Sequence, residues 1–538
     1  MYIYGVKKLL IFFSSFVIAL TFFPASAQVQ FQQKYQTGFN NLAVWVHQCS
    51  DGSYVLAERG DYGNNFIKTD TWGNVLWVKT LVTNGQIDYV EETYDHGFFL
   101  IGSSLISQKL YYNLMKTDAN GNLIWSKLMR PGIPNHELVD TYNMGNGNGS
   151  VTIRARETDD HGFILGGETF DPVNFRRQLQ LIKIDSIGQL EWTKDYNRNY
   201  KSSFYDLEIV RSHAEGDTMI GYIIAGDFID TTMLYNRDAL LTQVDLNGNV
   251  DWSFIYTDTV LTQVSAFDVS QTDDGGFIVT GQAAYMAMPP EMLCMKINAA
   301  GNVVWSSKFN YPSAVSNLGY SSIQVSDGGY LFGGSIRNLV NDHAVLIKTD
   351  VNGNMQWAQR PYNVVGSDAY CVIETDDRGF AFCGQIFLTG LDYVMYFVKT
   401  DSMGMTGCND STFILVQSPG NMQAFPITNV APTSIIDSAG DVPIQGIMPS
   451  LNTICLTTGI RDDKPSTISF YPNPTTGKLK IKNEEFRIEI IQVFNLYGEK
   501  ILEAAVSNEI DLTDQPPGIY FARILSEGIN HSCKIVRQ

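Results

Sequence analysis

The chain has 538 residues, 44% of them hydrophobic and 17% charged. It is therefore globular rather than disordered, and too long for one ordinary compact domain unless its fold is repetitive. Its net charge of −19 repels phosphate backbones and anionic lipid, so nucleic acid is excluded as an expected partner. The first 27 residues read as a secretory signal. Lys7 and Lys8 form a positive start, Leu9 to Phe23 an apolar or small-residue run, and Ala25-Ser26-Ala27 a small-x-small cleavage site. Cleavage is expected between Ala27 and Gln28. The run is too short for a membrane anchor, no Cys lies near the cut, and no later stretch approaches a transmembrane span.

A short motif then recurs: Lys-x-Asp, a turn ending in Gly, and Trp. Its copies begin at Lys68, Lys116, Lys183, Gln243, Lys296, Lys348 and Lys399, with spacings of 48, 67, 60, 53, 52 and 51 residues. Six of the eight Trp residues (Trp77, Trp125, Trp192, Trp252, Trp305 and Trp357) occupy this one position, and the seventh copy lacks its Trp. About twenty residues before each motif stands an acidic turn followed by Gly and an aromatic, as in Asp95-His96-Gly97-Phe98 and Asp274-Gly275-Gly276-Phe277. The copy near Glu215 to Tyr222 is degenerate.

The cleanest unit predicts four strands: Ser265 to Thr272, Gly276 to Ala283, Met292 to Asn298 and Asn302 to Phe309. Asp/Gly turns suited to tight hairpins join the first two and the last two. Seven such units predict an all-β, seven-bladed β-propeller over residues 28–404. The units resemble those of bacterial propeller proteins with Trp-anchored blades. The seventh unit has no convincing fourth strand after Gly404. Val29 to Tyr35 supplies one, with Phe31 in the place of Trp, so this strand is expected to pair with Asp392 to Thr400. Met405 to Asn409 is the competing strand.

Residues 405–463 are rich in Ser, Thr, Pro and Asn and carry no repeat, so they read as a linker. The seven cysteines show no zinc-binding spacing, and export permits disulfides. Two pairs are expected, Cys408 with Cys455 and Cys371 with Cys383 across a hairpin. Both require a short Cα separation.

Residues 464–538 return to alternating strands. Their landmarks are Tyr471-Pro472-Asn473-Pro474-Thr475-Thr476-Gly477, Val493-Phe494-Asn495-Leu496-Tyr497-Gly498, Pro517-Gly518-Ile519-Tyr520 and Lys534-Ile535-Val536. This order resembles the type A C-terminal sorting domain of type IX secretion in Bacteroidota. The resemblance implies a small immunoglobulin-like β-sandwich, handled by the type IX machinery and cut off by a sortase-like peptidase. It implies delivery through the periplasm to the outer-membrane surface, attachment there to surface glycolipid, or release.

No catalytic, cofactor or metal signature emerges. The acidic pairs Asp159-Asp160, Asp273-Asp274 and Asp376-Asp377 suggest two-carboxylate chemistry, but each lies at the same hairpin, where Asp caps a turn. The Asp-x-Asn-Gly-Asn turns lack the spaced acidic ligands of a calcium loop. His96 and His161 exchange with Gly275, Gly328 and Arg378 and read as turn residues. Length excess falls on one face. The candidate ligand loops there carry His136, Glu137 and Tyr142, then Arg176 and Arg177, then Tyr235 and Arg237. The leading expectation is a surface-displayed binding or adhesion module for a glycan or protein, with no cofactor. The alternative is a polysaccharide-degrading or quinone-dependent propeller enzyme, since the blade ending is also similar to the tryptophan-docking repeats of quinoproteins. A deep funnel of unpaired carboxylates or Arg residues favours the enzyme, and a shallow, plugged channel favours binding.

Overall fold

The computed structural model describes residues 28–537 except 38–39, 61–63, 82–84, 107–108, 132–136, 139–152, 172–175, 197–200, 213, 215, 230–236, 259–262, 286–287, 340–341, 362–365, 388–392, 409, 428–435, 439–443, 447–449, 458–468, 472, 483–487, 496–499, 506–508 and 527–528. The signal segment therefore lies outside the described residues. Among those described, the regular elements are all β-strands, paired antiparallel in sheets of three to five strands, except that one parallel bridge, Arg237 to Gln263, links two units into a ten-stranded sheet.

Each repeat unit folds as four strands paired in chain order. In one, Gln263–Gln271, Phe277–Ala284, Glu291–Ile297 and Val303–Asn310 succeed one another. The first strands of the successive units are Leu42–Gln48, Gly85–Glu92, Arg154–Glu157, Lys201–Ser212, Gln263–Gln271, Ser316–Gln324 and Ser367–Glu374. The last unit has three strands of its own, and Gln30–Gln36 supplies the fourth. It pairs antiparallel with Tyr393–Thr400, with Phe31 opposite Lys399 and Tyr35 opposite Met395. The expected N-terminal partner is thus the one used.

The two repeated sequence signals prove to be halves of one device. The motif Lys reaches back to the turn Asp: Lys68–Asp51, Lys116–Asp95, Lys183–Asp160, Lys296–Asp274, Lys348–Asp327 and Lys399–Asp377 all lie within 2.8–3.1 Å. The ammonium of Lys116 also donates to the Thr117 carbonyl at 3.1 Å. Burial opposes ionisation of Asp95, but Lys116, the Thr93 hydroxyl and the Gly97 N–H hold its carboxyl down at about 2. The Gly after this turn is required by space, since a methyl on Gly97 would sit 2.1 Å from the Thr117 oxygen. In the degenerate unit Gln243 replaces the Lys, and the Asp-containing turn is altered with it.

Consecutive units are joined by two further repeated contacts. The motif Trp of one unit lies on the positive-φ Gly of the next: a methyl on Gly121 would meet Trp77 at 2.9 Å, and one on Gly353 would meet Trp305 at 2.7 Å. Phe31 takes the same place over Gly73. In six of the seven units the residue closing the first strand accepts a backbone N–H from the preceding unit. Ser50 donates to Glu92, Tyr94 to Glu157, Asp273 to Gln324 and Ser326 to Glu374, at 2.6–2.9 Å. Arg211 donates likewise to Gln271, and its guanidinium pairs with Asp159 of the unit before. The last such bond runs from Asp376 N–H to Gln48 of the first unit at 3.0 Å. One hydrophobic cluster accordingly joins Phe31, Val46 and Leu56 to Cys371, Cys383 and Phe397.

The stretch read as a linker is not free chain. Its short strands add to the outer edges of successive units in reverse order: Ser411–Thr412 on Gln359 and Arg360, Val416–Pro419 on Val303–Asn310, and Met422–Pro426 on Val250–Asp258. Ile436–Ser438 then joins Leu123–Pro131, Ile444–Gly446 joins Val75–Leu81, and Ser450–Thr457 pairs with Gln30–Gln36. Side chains add to this backbone pairing: Met422 joins one apolar cluster of the units, Phe413 and Leu415 join another, and the Gln417 amide donates to the Gly353 carbonyl at 2.7 Å.

Cys371 and Cys383 are register partners across their hairpin, as expected. They are nevertheless free thiols, which corrects the proposed disulfide. Each donates instead to a carbonyl of the first unit, Cys371 to Val46 and Cys383 to Ala43, both at 3.7 Å. Cys408 is disulfide-bonded. Its partner sulfur lies outside the described side chains. Cys455 stands opposite Gln32 in register, and the Gln32 amide donates to the Cys408 carbonyl at 3.1 Å.

Residues 469–537 form two antiparallel sheets, one of Ser469–Tyr471, Lys478–Lys482 and Glu509–Asp511, the other of Lys500–Ala505, Ile488–Phe494, Gly518–Ser526 and Ile529–Arg537. Leu479, Ile481, Ile491, Val493, Ile510, Tyr520 and Ile535 make one core shared by both.

A pair of variants separates the two demands on the turn glycines. Gly275 has φ +76° with nothing within 4 Å of an added methyl, so Gly275→Ala should cost about 1 kcal/mol of unfolding free energy. Gly121 has φ +72° and also faces Trp77, so Gly121→Ala should cost about 1–3 kcal/mol more. Equal losses in denaturant unfolding would show that the Trp contact is slack.

Candidate binding site

Six of the seven first strands carry a β-bulge at the same place. The register slips at Val44, Asp88, Tyr205, Phe267, Tyr320 and Tyr370. A bulge re-aims the extra side chain out of the ladder. Four consecutive units place an aromatic there, and the rings form one arc. Tyr205 meets Phe267 edge-on at 4.9 Å, Phe267 stacks on Tyr320 at 6.3 Å, and Tyr320 meets Tyr370 edge-on at 5.2 Å. All four rings are partly exposed.

Ion pairs border the arc. Arg237 lies 3.2 Å from Asp227, which also accepts the Tyr205 hydroxyl at 2.9 Å. Asp368 accepts the Tyr370 hydroxyl at 3.1 Å and Gln385 at 2.6 Å, with Arg337 at 3.9 Å. Arg59 pairs with Asp88. Burial pushes Asp227 up to about 6, although Arg237 opposes the shift.

One level further along the strands lies a layer of charged side chains around Trp45. The Arg154 and Arg156 guanidinium groups lie over the Trp45 ring at 4.8 and 5.3 Å. Arg154 pairs with Asp206 at 3.4 Å and Arg156 with Glu208 at 3.1 Å. Asp206 in turn accepts the Val269 N–H at 3.1 Å, and Asp268 accepts the Ser322 N–H at 2.7 Å. Burial raises the carboxyls of both Asp206 and Asp268. The arc therefore adjoins a charged layer whose members are paired with one another.

The sequence-derived candidates separate on this geometry. Arg237 borders the arc. Arg177 pairs with buried Glu168 at 3.3 Å, beside the Phe204 N–H that Glu168 accepts. The backbones of Glu137 and Arg176 pair with Phe170 and Asp171, their side chains lying outside those described, and His136 and Tyr142 lie outside the described residues, as does Tyr235. The acidic pairs divide into separate roles, Asp160 holding Lys183 and Asp159 holding Arg211. Asp118 accepts the Asn120 and Asn122 N–H groups and the Asn122 amide at 2.8–2.9 Å, which uses its oxygens within the turn. His96 and His161 adopt φ of 59° and 60°, the turn conformation Gly275 holds elsewhere.

In the C-terminal unit, Asn473 accepts the Val536 N–H at 2.8 Å, and the Thr475 N–H reaches the Val536 carbonyl at 2.8 Å. Gly477, at φ 149°, accepts the Leu512 N–H, Pro474 is exposed, and the Tyr520 hydroxyl donates to Pro516 at 2.6 Å. These landmarks tie the start of the unit to its last strand. Gly518 opens the strand that pairs with Ile529–Arg537, where Ile519 faces Val536 in register and Lys534 faces Phe521. Pro472 and Gly498 lie outside the described residues.

Residues 469–538 match the family model of the secretion system C-terminal sorting domain. No curated protein matches the chain. Similar solved structures include a protein of unknown function from Bacteroides caccae (10% identity, 62% of this chain and 94% of that one, TM-score 0.33) and one from Dyadobacter fermentans DSM 18053 (10%, 70% and 100%, TM-score 0.38). Likenesses this slight carry no argument. The sorting domain assigns the chain to the cell surface or the secreted fraction, by way of the type IX machinery. No helix among the described residues is long and apolar enough to cross a membrane.

Glu58 offers a pH test in the first unit. It is wholly buried, and burial pushes its carboxyl up to about 7 against hydrogen bonds from Thr37 and Asn65. The folded state then holds this proton more tightly than the unfolded state. The carboxyl's destabilising effect grows as pH rises from 4.5 towards 7 and is constant above. Glu58→Gln should raise stability at pH 8 by up to about 3 kcal/mol and leave it unchanged at pH 4.5. An equal effect at both pH values in thermal melts would refute the assignment.

Proposed function

We propose that the seven units are the blades of a closed β-propeller, and that the exported protein is a binding or adhesion module for a glycan or protein. Closure is supported by the Asp376–Gln48 bond, by Phe31 over Gly73, and by the apolar cluster joining the first and last units. The observation that carries the functional reading is the partly exposed aromatic arc Tyr205–Phe267–Tyr320–Tyr370 beside a layer of paired charges. Arg59, Arg237 and Arg337 each have a carboxylate partner, so the site resembles a recognition surface more than a reaction centre with a poised base.

The remaining assignments follow. Cleavage after Ala27 exposes Gln28, whose amide donates to the Asp377 carbonyl at 2.8 Å and accepts the Ser402 N–H at 3.1 Å. Cys455 is the partner of Cys408, and the edge strands stay with the propeller. The sortase-like peptidase then cuts between Thr457 and Ser469, ahead of an immunoglobulin-like sandwich, and the product is attached to surface glycolipid or released.

The exported protein, recovered after secretion, should be retained saturably on a glycan or protein array. Tyr320→Ala combined with Tyr370→Ala should abolish retention with the melting transition still cooperative. Absence of retention on both arrays, or full retention by the double variant, would overturn the reading.

A further inference from the structure

We propose that residues 408–455 form a covalent hoop around the repeat array, shut by a Cys408–Cys455 disulfide, and that this bond secures the chain end left when the sorting unit is cut away. The hoop rests on the closed array and the cut proposed above.

The described strands of this segment trace a circuit. It leaves the seventh unit at Cys408, whose carbonyl accepts the Gln32 amide at 3.1 Å. It then runs along the outer strands of the sixth, fifth, fourth, second and first units in turn. Ser450–Thr457 brings it back to Gln30–Gln36, the strand that completes the seventh unit, with Cys455 opposite Gln32. Both ends of the circuit therefore meet at one residue, Gln32, which is fully buried.

The cysteines point the same way. Cys408 is disulfide-bonded, while Cys49, Cys294, Cys371 and Cys383 are free, so its partner is Cys455 or Cys533. Cys533 lies in the last strand of the sorting unit, opposite Ala522. The shared neighbour Gln32 favours Cys455. The corner at Cys408 is also held in place. The Thr406 hydroxyl donates to Asp410 at 2.6 Å and accepts the Gln32 amide at 2.5 Å, and Asp410 accepts the Thr406 N–H at 2.9 Å. A fixed corner suits the narrow geometry of a disulfide. The bond forms by exchange with a disulfide-bearing oxidant met during export. One thiolate attacks that disulfide, the second displaces the oxidant as its dithiol, and the two cysteine protons are given up.

The cut makes such a bond useful. Ser411–Thr412 and Ile436–Ser438 lie on their neighbours through two or three register pairs each, and contacts so few peel easily. A cut between Thr457 and Ser469 turns Ser450–Thr457 into a terminal strand, and chain ends fray first. Its loss uncovers one edge of Gln30–Gln36, the strand on which closure depends. Cys455 lies near the end of that last strand. Tied to Cys408, the segment has no free end from which to unzip.

The segment contains no Lys or Arg, so trypsin passes over it; thermolysin, which cuts beside apolar side chains, is the probe. The protein is recovered after secretion, nicked in its native state and run on denaturing gels. Wild-type protein cut once between Cys408 and Cys455 should stay one species without reductant and give two fragments with dithiothreitol. Cys408→Ser and Cys455→Ser should each be nicked about tenfold or more faster and separate without reductant. If neither variant is secreted, wild-type protein treated with dithiothreitol carries the same comparison of rates. Separation of nicked wild type without reductant, or nicking of the reduced or serine forms at the wild-type rate, overturns the hoop. So does a Cys455→Ser protein whose Cys408 still resists alkylation after denaturation. If the array then still unfolds in one cooperative denaturant transition, closure stands and only the hoop falls. Stepwise unfolding of the oxidised wild type overturns the closed array and the hoop with it.

Discussion

The strand Gln30–Gln36 lies between Tyr393–Thr400 on one side and Ser450–Thr457 on the other, and the rest of the repeat array depends on it. Without it the last unit has three strands and an open edge. With it, Phe31 seats on Gly73, the Tyr35 hydroxyl donates to the Gly73 carbonyl at 2.6 Å, and Gln32 bonds to the region of Cys408. The first and last units are thereby fixed to each other through backbone and side chain at once. Such contacts span almost the whole repeat region, so they form only after most of the chain has been made. The aromatic arc inherits this constraint, because Tyr370 belongs to the unit that the N-terminal strand completes.

Much of this was legible because repetition exposes geometry. A Lys recurring about twenty residues after an Asp, in six units, is the sequence trace of a buried ammonium that meets a turn carboxylate at the surface. The unit with Gln243 loses both signals together, as it must if each exists for the other. The Trp and the turn Gly belong to the same logic across units, since a ring can lie on the backbone only where no Cβ intervenes. Phe31 was recognisable by its position alone.

The arc was not legible, for a physical reason. Val44, Asp88, Tyr205, Phe267, Tyr320 and Tyr370 share a backbone irregularity and no side-chain type. A bulge shifts the alternation by one, so these residues read as out of phase with their own strands. That phase slip was the available signal. The loops drew attention instead, and of their described members Arg237 does border the arc, joined to it through Asp227 and Tyr205. The edge strands were hidden more deeply, because five of the six have only two to five residues, too few to show an alternating pattern.

Those edge strands also bear on export. The outer strand of a repeat unit, left uncovered, presents unpaired N–H and C=O groups, a template for aggregation. The segment 411–457 covers outer strands of six units, and among the described residues Leu190–Tyr196 alone has no such partner. The sorting unit meets the same problem differently. It has a core of its own, and Asn473 and Thr475 bind Val536, so its sequence landmarks are joints between its first turn and its last strand. Removing it leaves no outer edge of the repeat array newly uncovered. In the proposed processing the protective strands precede the cut and the sorting unit closes on itself beyond it, so that the delivery signal could be discarded while the delivered fold keeps every edge bond it had.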